Sequence, residues 1–297
     1  MKHFTIIIPD SDSPRMGAIL AALREQTAEL SAGEVLVVGS DQPGLVQADE
    51  LVRLIPTDEH NTCASDRRNL GMRAAQGEVF LFLDDDCIPR RDWLEQHLSR
   101  QAAGEQVVGG SVDLAGRNYL QLADNLSAFH FMTPYTQPGY RPYLCSANLS
   151  VHRSVVARAG EMIPHKNRAD DLEWTTRFRI YGFKLYFDPQ AVALHDPQRC
   201  SWAAVCQHWL VDGPETLRVR LRYADLLGTP RLARYRAMYL WGAPLTAAWA
   251  TARVFSNWQS LSRYGHTLPL VYLTKLLWCW SAYRRFPAEL DDLFAPT

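Results

Sequence analysis

The sequence predicts an α/β protein in which helices flank a mixed, mostly parallel sheet and a helical region follows. Over the first hundred residues, short apolar runs alternate with helix-like segments, which is the order expected of parallel strands joined by crossover helices. After Cys200 the pattern is helical. We therefore expect a sheet-containing domain over residues 1–200 and a helical region over residues 201–297.

The predicted strands are short and apolar, as buried strands are. The first, Phe4–Ile8, is a continuous β-rich run that ends at Pro9, which is typical of a strand covered on both faces. By the same criteria we predict strands at Glu34–Val38, Leu51–Ile55, Glu78–Leu83, Lys184–Phe187 and Ala191–Leu194. The segment Gly109–Leu149 is loop-rich and aromatic, and we predict it to be mostly loop.

Helices are predicted where apolar residues recur three or four positions apart, as Ile19, Leu20 and Leu23 do. The predicted helices are Met16–Glu29, Cys63–Ala75, Trp93–Ala102, Val151–Gly160 and Asp170–Tyr181. A basic loop, Pro164–Ala169, comes before the last of them. Ligands of such folds bind at the carboxyl ends of the strands.

The composition excludes some classes of function. Apolar residues make up 47% of the 297 residues, and the formal net charge is −1, so nothing indicates a nucleic-acid binder. The six cysteines form no C-x-x-C pair and have no zinc-like His spacing. The first apolar run is too short for a signal peptide. We therefore expect a cytoplasmic protein with reduced thiols.

Three adjacent carboxylates, Asp84-Asp85-Asp86, follow the predicted strand Glu78–Leu83 directly. In an extended backbone residues i and i+2 point to the same side, so Asp84 and Asp86 can converge on one cation. Such oxygen ligands suit Mg²⁺ or Mn²⁺, which would offset charge on a diphosphate leaving group. The alternative is a solvated acidic turn that caps the next helix, but the buried strand before it favours a metal site.

Three other groups each leave two interpretations open. Asp170 and Asp171 either cap their helix or provide a general base for an acceptor hydroxyl. His195, after an apolar strand, is either structural or a Mn²⁺ ligand beside a carboxylate. The run Arg67-Arg68-Asn69 either binds phosphate or a nucleotide base or forms a solvated helix face.

Six short motifs occur in a fixed order along the chain. They are Ile6-Ile7-Ile8-Pro9, Arg68-Asn69-Leu70-Gly71, Phe82-Leu83-Asp84-Asp85-Asp86, Ser146-Ala147-Asn148-Leu149, Asp170-Asp171-Leu172-Glu173 and Val192-Ala193-Leu194-His195. Together they resemble the family 2 glycosyltransferases of the Rossmann-like GT-A fold. The acidic triplet looks like the family's D-x-D motif. The later tetrad is similar to its E-D-x-D/E motif, with Asp170 where Glu is usual.

The resemblance implies an inverting, metal-dependent enzyme that transfers one sugar from a nucleotide-diphosphate sugar to an acceptor hydroxyl. It implies that Asp171 is the base and that Asp86 and His195 hold Mn²⁺ or Mg²⁺. The donor-binding residues that it implies are Pro9, Asp10, Asp12, Asp41, Arg68, Asp84 and Asp85. On the acceptor side we place Asn148, Asp170 and Trp209.

Two departures from the family pattern narrow the prediction. The family often has two acidic residues just after the second strand, whereas this chain has Val38-Gly39-Ser40-Asp41. UDP-, GDP- and dTDP-linked sugars therefore all remain candidate donors. The Q-x-x-R-W motif of processive synthases is absent, because Gln207-His208-Trp209 lacks its spacing and its Arg. This absence predicts transfer of a single sugar, to a glycan, lipid-linked or small-molecule acceptor.

Parts of the sequence are compatible with two other functions. A haloacid-dehalogenase-type phosphatase also places D-x-D after an apolar strand, but its motif opens the domain and usually has Thr or Val where this chain has Ile88. A non-catalytic nucleotide-sugar-binding or partner protein that retains the fold is the second alternative, since the loop after the second strand is altered.

The C-terminal quarter contains two apolar segments, Arg236–Asn257 and Thr267–Tyr283. Arg253 and Lys275 interrupt them, so neither is predicted to span a membrane. They either pack as a helical subdomain or lie at a membrane interface, with peripheral contact on the inner face of the cell membrane. The residues that suggest the second interpretation are Trp241, Trp249, Trp258, Trp278 and Trp280.

Overall fold

The computed structural model describes residues 2–28, 30–58, 62–164 and 168–287, without the side chain of Trp258. The predicted helix Met16–Glu29 ends earlier than predicted, at Arg24, and Glu29 itself and the middle of the predicted loop Pro164–Ala169 lie outside the described residues. The contacts divide the chain into two units. One comprises Met1–Asp113 and Gln137–Asp196, and the other comprises Leu114–Thr136 and Pro197–Thr297. The division at residue 200 into functional domains stays a prediction.

The elements follow in chain order. Up to Leu114 they are β1 (Phe4–Ser11), α1 (Met16–Arg24), β2 (Gly33–Ser40), β3 (Val52–Pro56), α2 (Ala64–Ala74), β4 (Val79–Leu83), β5 (Cys87–Pro89), α3 (Trp93–Ala102) and β6 (Val107–Leu114). Next come α4 (Tyr119–Phe129), β7 (Gly139–Tyr140), β8 (Asn148–His152), α5 (Arg153–Ala159), α6 (Asp170–Ile180) and β9 (Tyr186–His195). The remaining helices are α7 (Trp202–Arg222), α8 (Ala224–Leu227), α9 (Ala243–Val254), α10 (Trp258–Tyr264) and α11 (Leu268–Arg284).

A single mixed sheet organises the first unit. Among the described residues its strand order is β3-β2-β1-β4-β8-β6-β9-β5, and β7 pairs with β9. The strands β3, β2, β1 and β4 are parallel, whereas β8 pairs antiparallel with both β4 and β6. The predicted α/β fold is confirmed, and the parallel strands bring the carboxyl ends of β1, β2 and β4 to one edge.

The strands are apolar because they are covered on both faces. In β1, β2 and β4 almost every side chain is buried. Full burial of each Ile, Val, Leu or Phe contributes about 1.5–3 kcal/mol. Helix α6 adds Trp174, whose indole meets the ring of Phe82 edge-on at a centroid distance of 5.5 Å. This core holds the sheet edge in a fixed geometry.

The middle of the chain is more regular than the sequence predicted. Within the segment Gly109–Leu149, predicted as mostly loop, lie helix α4 and parts of strands β6 and β8. Gly110 marks a close approach rather than a turn, because a Cβ atom there would lie 2.3 Å from the carbonyl oxygen of Ala191. The amphipathic pattern of α4 was obscured by the buried polar residues Gln121, Asp124, Asn125 and Ser127.

Two other predicted elements also differ. The predicted helix Val151–Gly160 begins as strand β8, because Leu149–Val151 pair with β4, and α5 follows from Arg153. The two predicted strands Lys184–Phe187 and Ala191–Leu194 form the single strand β9, which continues through Pro189. Its carbonyl accepts a hydrogen bond from the Ser111 hydroxyl (2.9 Å).

The second unit is helical and has its own core. Helix α11 packs against α7, α9 and α4, and one cluster joins Leu126, Val254 and Val271. A buried carboxylate, Asp124, ties two helices together by accepting hydrogen bonds from His208 Nδ1 (2.9 Å) and Trp209 Nε1 (2.8 Å). In the described ranges no helix has the length and apolar character needed to cross a bilayer.

Candidate active site

Acidic residues meet at the carboxyl edge of the parallel strands. Asp10 lies near the end of β1, Asp41 follows β2, and the triplet Asp84-Asp85-Asp86 follows β4. β1 pairs with both of the other strands, so the three acidic positions lie on neighbouring strands. Their convergence is what the alternation of strands and helices predicted for this edge.

The three carboxylates of the triplet contact different partners. Asp84 Oδ1 accepts a hydrogen bond from Arg68 Nη2 at 2.5 Å. Asp85 Oδ2 accepts one from the Ser11 amide at 2.9 Å, and its carbonyl accepts one from the Ser13 hydroxyl. Asp86 Oδ2 lies 3.3 Å from His195 Nε2. Asp85 thus holds the loop after β1.

This crowding makes the charged forms of the carboxyl groups costly. Burial and, to a smaller extent, the neighbouring Asp86 raise the pKa of Asp85 to about 8. Burial also raises the pKa of Asp84, where the charge of Arg68 opposes the rise and Asp86 adds to it. A cation at this edge would relieve the repulsion, because opposite charge favours the ionised form.

The residues present fit a hard divalent ion. Among the described residues, Asp86, Cys87 and His195 form a group whose potential ligand atoms lie within 4.8 Å of one another. The Cys87 sulfur is a soft donor that suits Zn²⁺ or Cu⁺ rather than a hard ion such as Mg²⁺ or Mn²⁺, so it is a poor ligand here. A carboxylate and an imidazole remain, a donor set that suits Mn²⁺. The pairing of β5 with β9 brings these residues together, with Cys87 opposite His195.

Helix α6 carries the two carboxylates predicted at the acceptor side, and their partners differ. Asp170 Oδ2 accepts a hydrogen bond from Arg68 Nη1 at 3.0 Å. Asp171 accepts hydrogen bonds from the amides of Ser146 (3.2 Å) and Leu172 (2.7 Å). Neither caps the helix, since the N-cap residue is Ala169, in the left-handed region at φ 57°.

The environment of Asp171 is that of a group able to exchange a proton near neutral pH. Burial and, to a smaller extent, the charge of Asp170 raise its pKa to about 7, against the opposing effects of the Arg68 charge and the two amide hydrogen bonds. A base is most effective when its pKa lies near the working pH. The arrangement can therefore remove a proton from a hydroxyl placed beside Asp171.

The run Arg67-Arg68-Asn69 on α2 is buried rather than solvated, so its interpretation as a solvated helix face is wrong. Arg68 joins the acidic triplet to α6 through Asp84 and Asp170. The Asn69 amide donates to the Met162 carbonyl at 2.9 Å and accepts from the Met162 amide at 3.0 Å. The guanidinium of Arg67 donates to the hydroxyl of Ser11. The helix face thus connects the elements of the site.

Four of the predicted donor residues lie at the end of β1 or in the loops after β1 and β2. Pro9 is a buried position of β1 opposite Val38. Asp10 is fully buried, its Oδ2 accepts no hydrogen bond from the described residues, and burial raises its pKa to about 6. Asp12, at φ 56°, accepts from the Gln42 amide at 2.6 Å. Asp41 accepts from the amides of residues 45 and 46 in its own loop.

Two predicted acceptor-side residues, Asn148 and Trp209, make contacts within the cores of their units. The Asn148 side chain is fully buried and hydrogen-bonds to Trp93, His97 and two backbone carbonyls. Its amide is therefore occupied within the core of the first unit. Trp209 belongs to the second unit, where Asp124 holds its indole nitrogen. An acceptor role for either residue stays a prediction.

Some residues that shape the site were not singled out from the sequence. The amides and hydroxyls of Ser11, Ser13 and Ser146 position Asp85 and Asp171, and Arg15 forms an ion pair of 3.0 Å with Asp196, next to His195. Small serines after a strand and beside predicted carboxylates were the available signal. The ion pair joins residues that are distant in sequence, so no pattern in the sequence indicated it.

Comparison with known proteins agrees with this geometry. The family model "Glycosyl transferase family 2" matches residues 5–188. Glycosyltransferase AglE of Haloferax volcanii is 29% identical over 206 residues, which are 66% of this chain and 67% of that protein. The pre-mycofactocin glycosyltransferase of Mycobacterium tuberculosis is 24% identical over 207 residues, which are 66% of this chain and 43% of that protein. This chain thus spans less than half of the second relative.

A solved structure matches over nearly the whole chain. It is the mannosyltransferase PcManGT from Pyrobaculum calidifontis in complex with GDP-Man and Mn²⁺, with a TM-score of 0.64 and 20% sequence identity. The match covers 97% of this chain and 88% of that one. At this level of identity it is a likeness of fold.

Proposed function

This chain belongs to glycosyl transferase family 2 and is a glycosyltransferase, and on that premise we propose a specific reaction for it. The enzyme transfers one sugar from a nucleotide-diphosphate sugar to an acceptor hydroxyl, with inversion at the anomeric carbon and with a divalent metal. The observation that carries the proposal is the buried link through Arg68, which joins the acidic triplet to the helix that carries Asp171.

On the donor side the chain supplies charge and position. Asp86 and His195 would hold Mn²⁺ or Mg²⁺, and the bound ion would offset the charge that develops on the leaving diphosphate. Arg68 holds Asp84 in place, and Asp85 fixes the loop that carries Ser11 and Ser13. In this proposal the donor's nucleoside lies at the end of β1 and against the loops after β1 and β2, which carry Asp12 and Asp41.

On the acceptor side Asp171 takes the proton of the attacking hydroxyl. Asp170, although adjacent, is engaged by Arg68, so we give it a positioning role. One base and one direct displacement invert the anomeric centre, as in single-displacement glycoside hydrolysis. Without the Q-x-x-R-W motif of processive synthases, the product leaves after a single transfer.

GDP-mannose with Mn²⁺ is the first donor to test, because the fold neighbour PcManGT was solved with both. UDP- and dTDP-sugars follow, since the loop Val38–Asp41 does not select among bases by sequence alone. The acceptor is left as a hydroxyl on a glycan, a lipid-linked molecule or a small molecule. We include in the proposal a peripheral contact between the helical unit and the inner face of the cell membrane.

The proposal is tested with Asp171→Asn, which keeps the shape of the side chain but removes the base. The substrates are GDP-mannose, UDP-glucose and dTDP-glucose, each with Mn²⁺, and slow transfer to water is measured as nucleotide release. We expect the variant to lose about 10²- to 10⁴-fold in turnover while it binds the donor as the wild type does. The control is Asp92→Asn, an acidic residue next to α3 that makes no capping bond. Equal turnover in wild type and Asp171→Asn would exclude this base.

A further inference from the structure

The second unit contains a long segment without acidic residues. Between Asp225 and Glu289 the sequence has no Asp or Glu. The same stretch contains the arginines Arg231, Arg234, Arg236, Arg253, Arg263, Arg284 and Arg285, all of them exposed. Among the described residues none of these seven forms an ion pair with a carboxylate, so no described acidic residue neutralises their positive charge. Lys275 differs because it is half-buried. Its ammonium donates to the Ser127 carbonyl at 2.9 Å, as the exposed Arg236 and Arg285 donate to the carbonyls of Tyr283 and Leu210.

Large apolar side chains are exposed in the same segment. Trp241 is 83% exposed, Leu245 78% and Trp249 57%. Leu245 and Trp249 are four residues apart, so they lie on one side of helix α9, and Trp241 lies in the turn just before this helix. The opposite side, with Ala247, Thr251 and Val254, is buried, and α9 packs against α11. We call the residues Trp241, Leu245 and Trp249, together with Arg253, the α9 face.

Arginine and aromatic side chains are paired on this surface. The Arg253 guanidinium lies 5.0 Å from the centre of the Trp249 ring. On α11 the Arg284 guanidinium lies 5.6 Å from the Trp280 ring, and Trp280 is also exposed. Tryptophan beside arginine is typical of protein surfaces that lie in the headgroup region of a bilayer, where the ring enters the apolar boundary and the cation contacts phosphate.

We propose that the α9 face docks on the surface of an anionic phospholipid membrane. The apolar rings insert at the headgroup boundary, and the arginines of residues 231–285 attract the negative lipid surface. Charge decides between this occupant and a second copy of the chain. A two-fold contact would place the same patch on both sides, so arginines would face arginines. The inference specifies the membrane contact in the proposed function, but its test does not depend on transferase activity.

The test is flotation of the full chain with vesicles of phosphatidylcholine alone or mixed with phosphatidylglycerol. We expect the protein to float with the anionic vesicles only, and flotation to weaken with added NaCl, because salt screens exposed charges. Protein that stays at the bottom with both kinds of vesicle would overturn the proposal. Equal, salt-insensitive flotation with neutral vesicles would overturn the role of the arginines.

Variants identify the surface. The double variant Trp241→Ala/Trp249→Ala should lose at least about tenfold in vesicle partitioning, because it removes two inserting rings. Trp202→Ala removes an exposed tryptophan outside the acid-free segment and should float as the wild type does. Circular dichroism checks that each variant is folded. Equal flotation of all three proteins would show that the surface lies elsewhere, and a dimer that only the double variant abolishes, without flotation, would show that the occupant is a second copy.

Nucleotide release from the donor is followed in the same preparations. Flotation without turnover would leave the docking surface in place and remove the proposed reaction. Turnover without flotation would leave the proposed reaction in place and remove the docking surface. The double variant should keep the wild-type rate of transfer to water, since neither tryptophan is part of the candidate active site.

Discussion

Two adjacent aspartates of this chain, Asp170 and Asp171, have different hydrogen-bond partners. Asp170 faces the guanidinium of Arg68, whereas Asp171 accepts hydrogen bonds from the Ser146 and Leu172 amides. The first contact neutralises a carboxylate, and burial leaves the second with a pKa of about 7. The sequence predicted that Asp171 is the base only through the family motif. It could not predict the difference in environment, because Arg68 is distant in sequence.

The pKa of Asp171 leads to a prediction of pH dependence. Only the ionised carboxylate accepts a proton, and its pKa is raised to about 7. We therefore expect kcat/KM for donor cleavage to rise with pH and to level off above about pH 8. The measurement is a pH series of nucleotide release at constant ionic strength. A rate that is flat from about pH 5 to 8 would contradict the assignment, because a carboxylate with an ordinary pKa is already ionised there.

At the scale of elements, helix α2 connects the site. Its buried face carries Arg67, Arg68 and Asn69, which reach β1, β4 and the chain around α6. The sequence predicted the helix to within one residue at each end, since Ala64–Ala74 is observed and Cys63–Ala75 was predicted. It did not predict that the charged residues face inward, because an Arg pair on a helix is normally solvated.

Substitution of Arg68 tests the role of this helix. Arg68→Met leaves the Asp84 and Asp170 carboxylates without their buried cation, so the free energy of unfolding should fall by roughly 3 kcal/mol or more. The matched control is Arg73→Met on the same helix, which removes an exposed pair with Glu161 and should cost less than about 1 kcal/mol. Urea unfolding measures both. Similar losses in the two variants would contradict the connecting role of Arg68.

The close approach of β2 to β1 is a second property of elements. Gly39 has φ 151°, and a Cβ atom there would lie 1.9 Å from the Asp10 carbonyl oxygen. Gly39→Ala must therefore displace the end of β1, which carries Asp10, and we expect it to cost about 2–3 kcal/mol of stability and to weaken donor binding. Gly44→Ala is the control, because its φ is also positive, at 67°, but nothing lies within 4 Å. A cost in Gly39→Ala no larger than that in the control would show that the close approach is not required.

Across the whole molecule, the secondary structure of the first hundred residues was predicted better than that of the middle of the chain. The strands β1, β2 and β4 were predicted because each is a buried apolar run. Strand β3 was predicted by the same criterion, although the structure buries it only in part, and α1 was predicted from apolar residues at helical spacing. The middle segment was predicted as loop because its glycines and polar residues have buried packing roles, as in Gly110 and Asp124. The grouping of Leu114–Thr136 with the C-terminal helices depends on contacts between distant residues, which periodicity does not show.

Nucleotide binding with and without Mn²⁺ tests whether this chain has a donor site that needs a divalent metal. We would measure thermal unfolding with GDP, UDP, dTDP and CDP, each with and without Mn²⁺, for the wild type and Asp86→Ala. A nucleotide at about 100 times its Kd should add about 2.7 kcal/mol of stability. The account predicts that one nucleotide stabilises the wild type only with Mn²⁺, and that Asp86→Ala loses this effect. Stabilisation by no nucleotide, or an equal effect in Asp86→Ala, would contradict it.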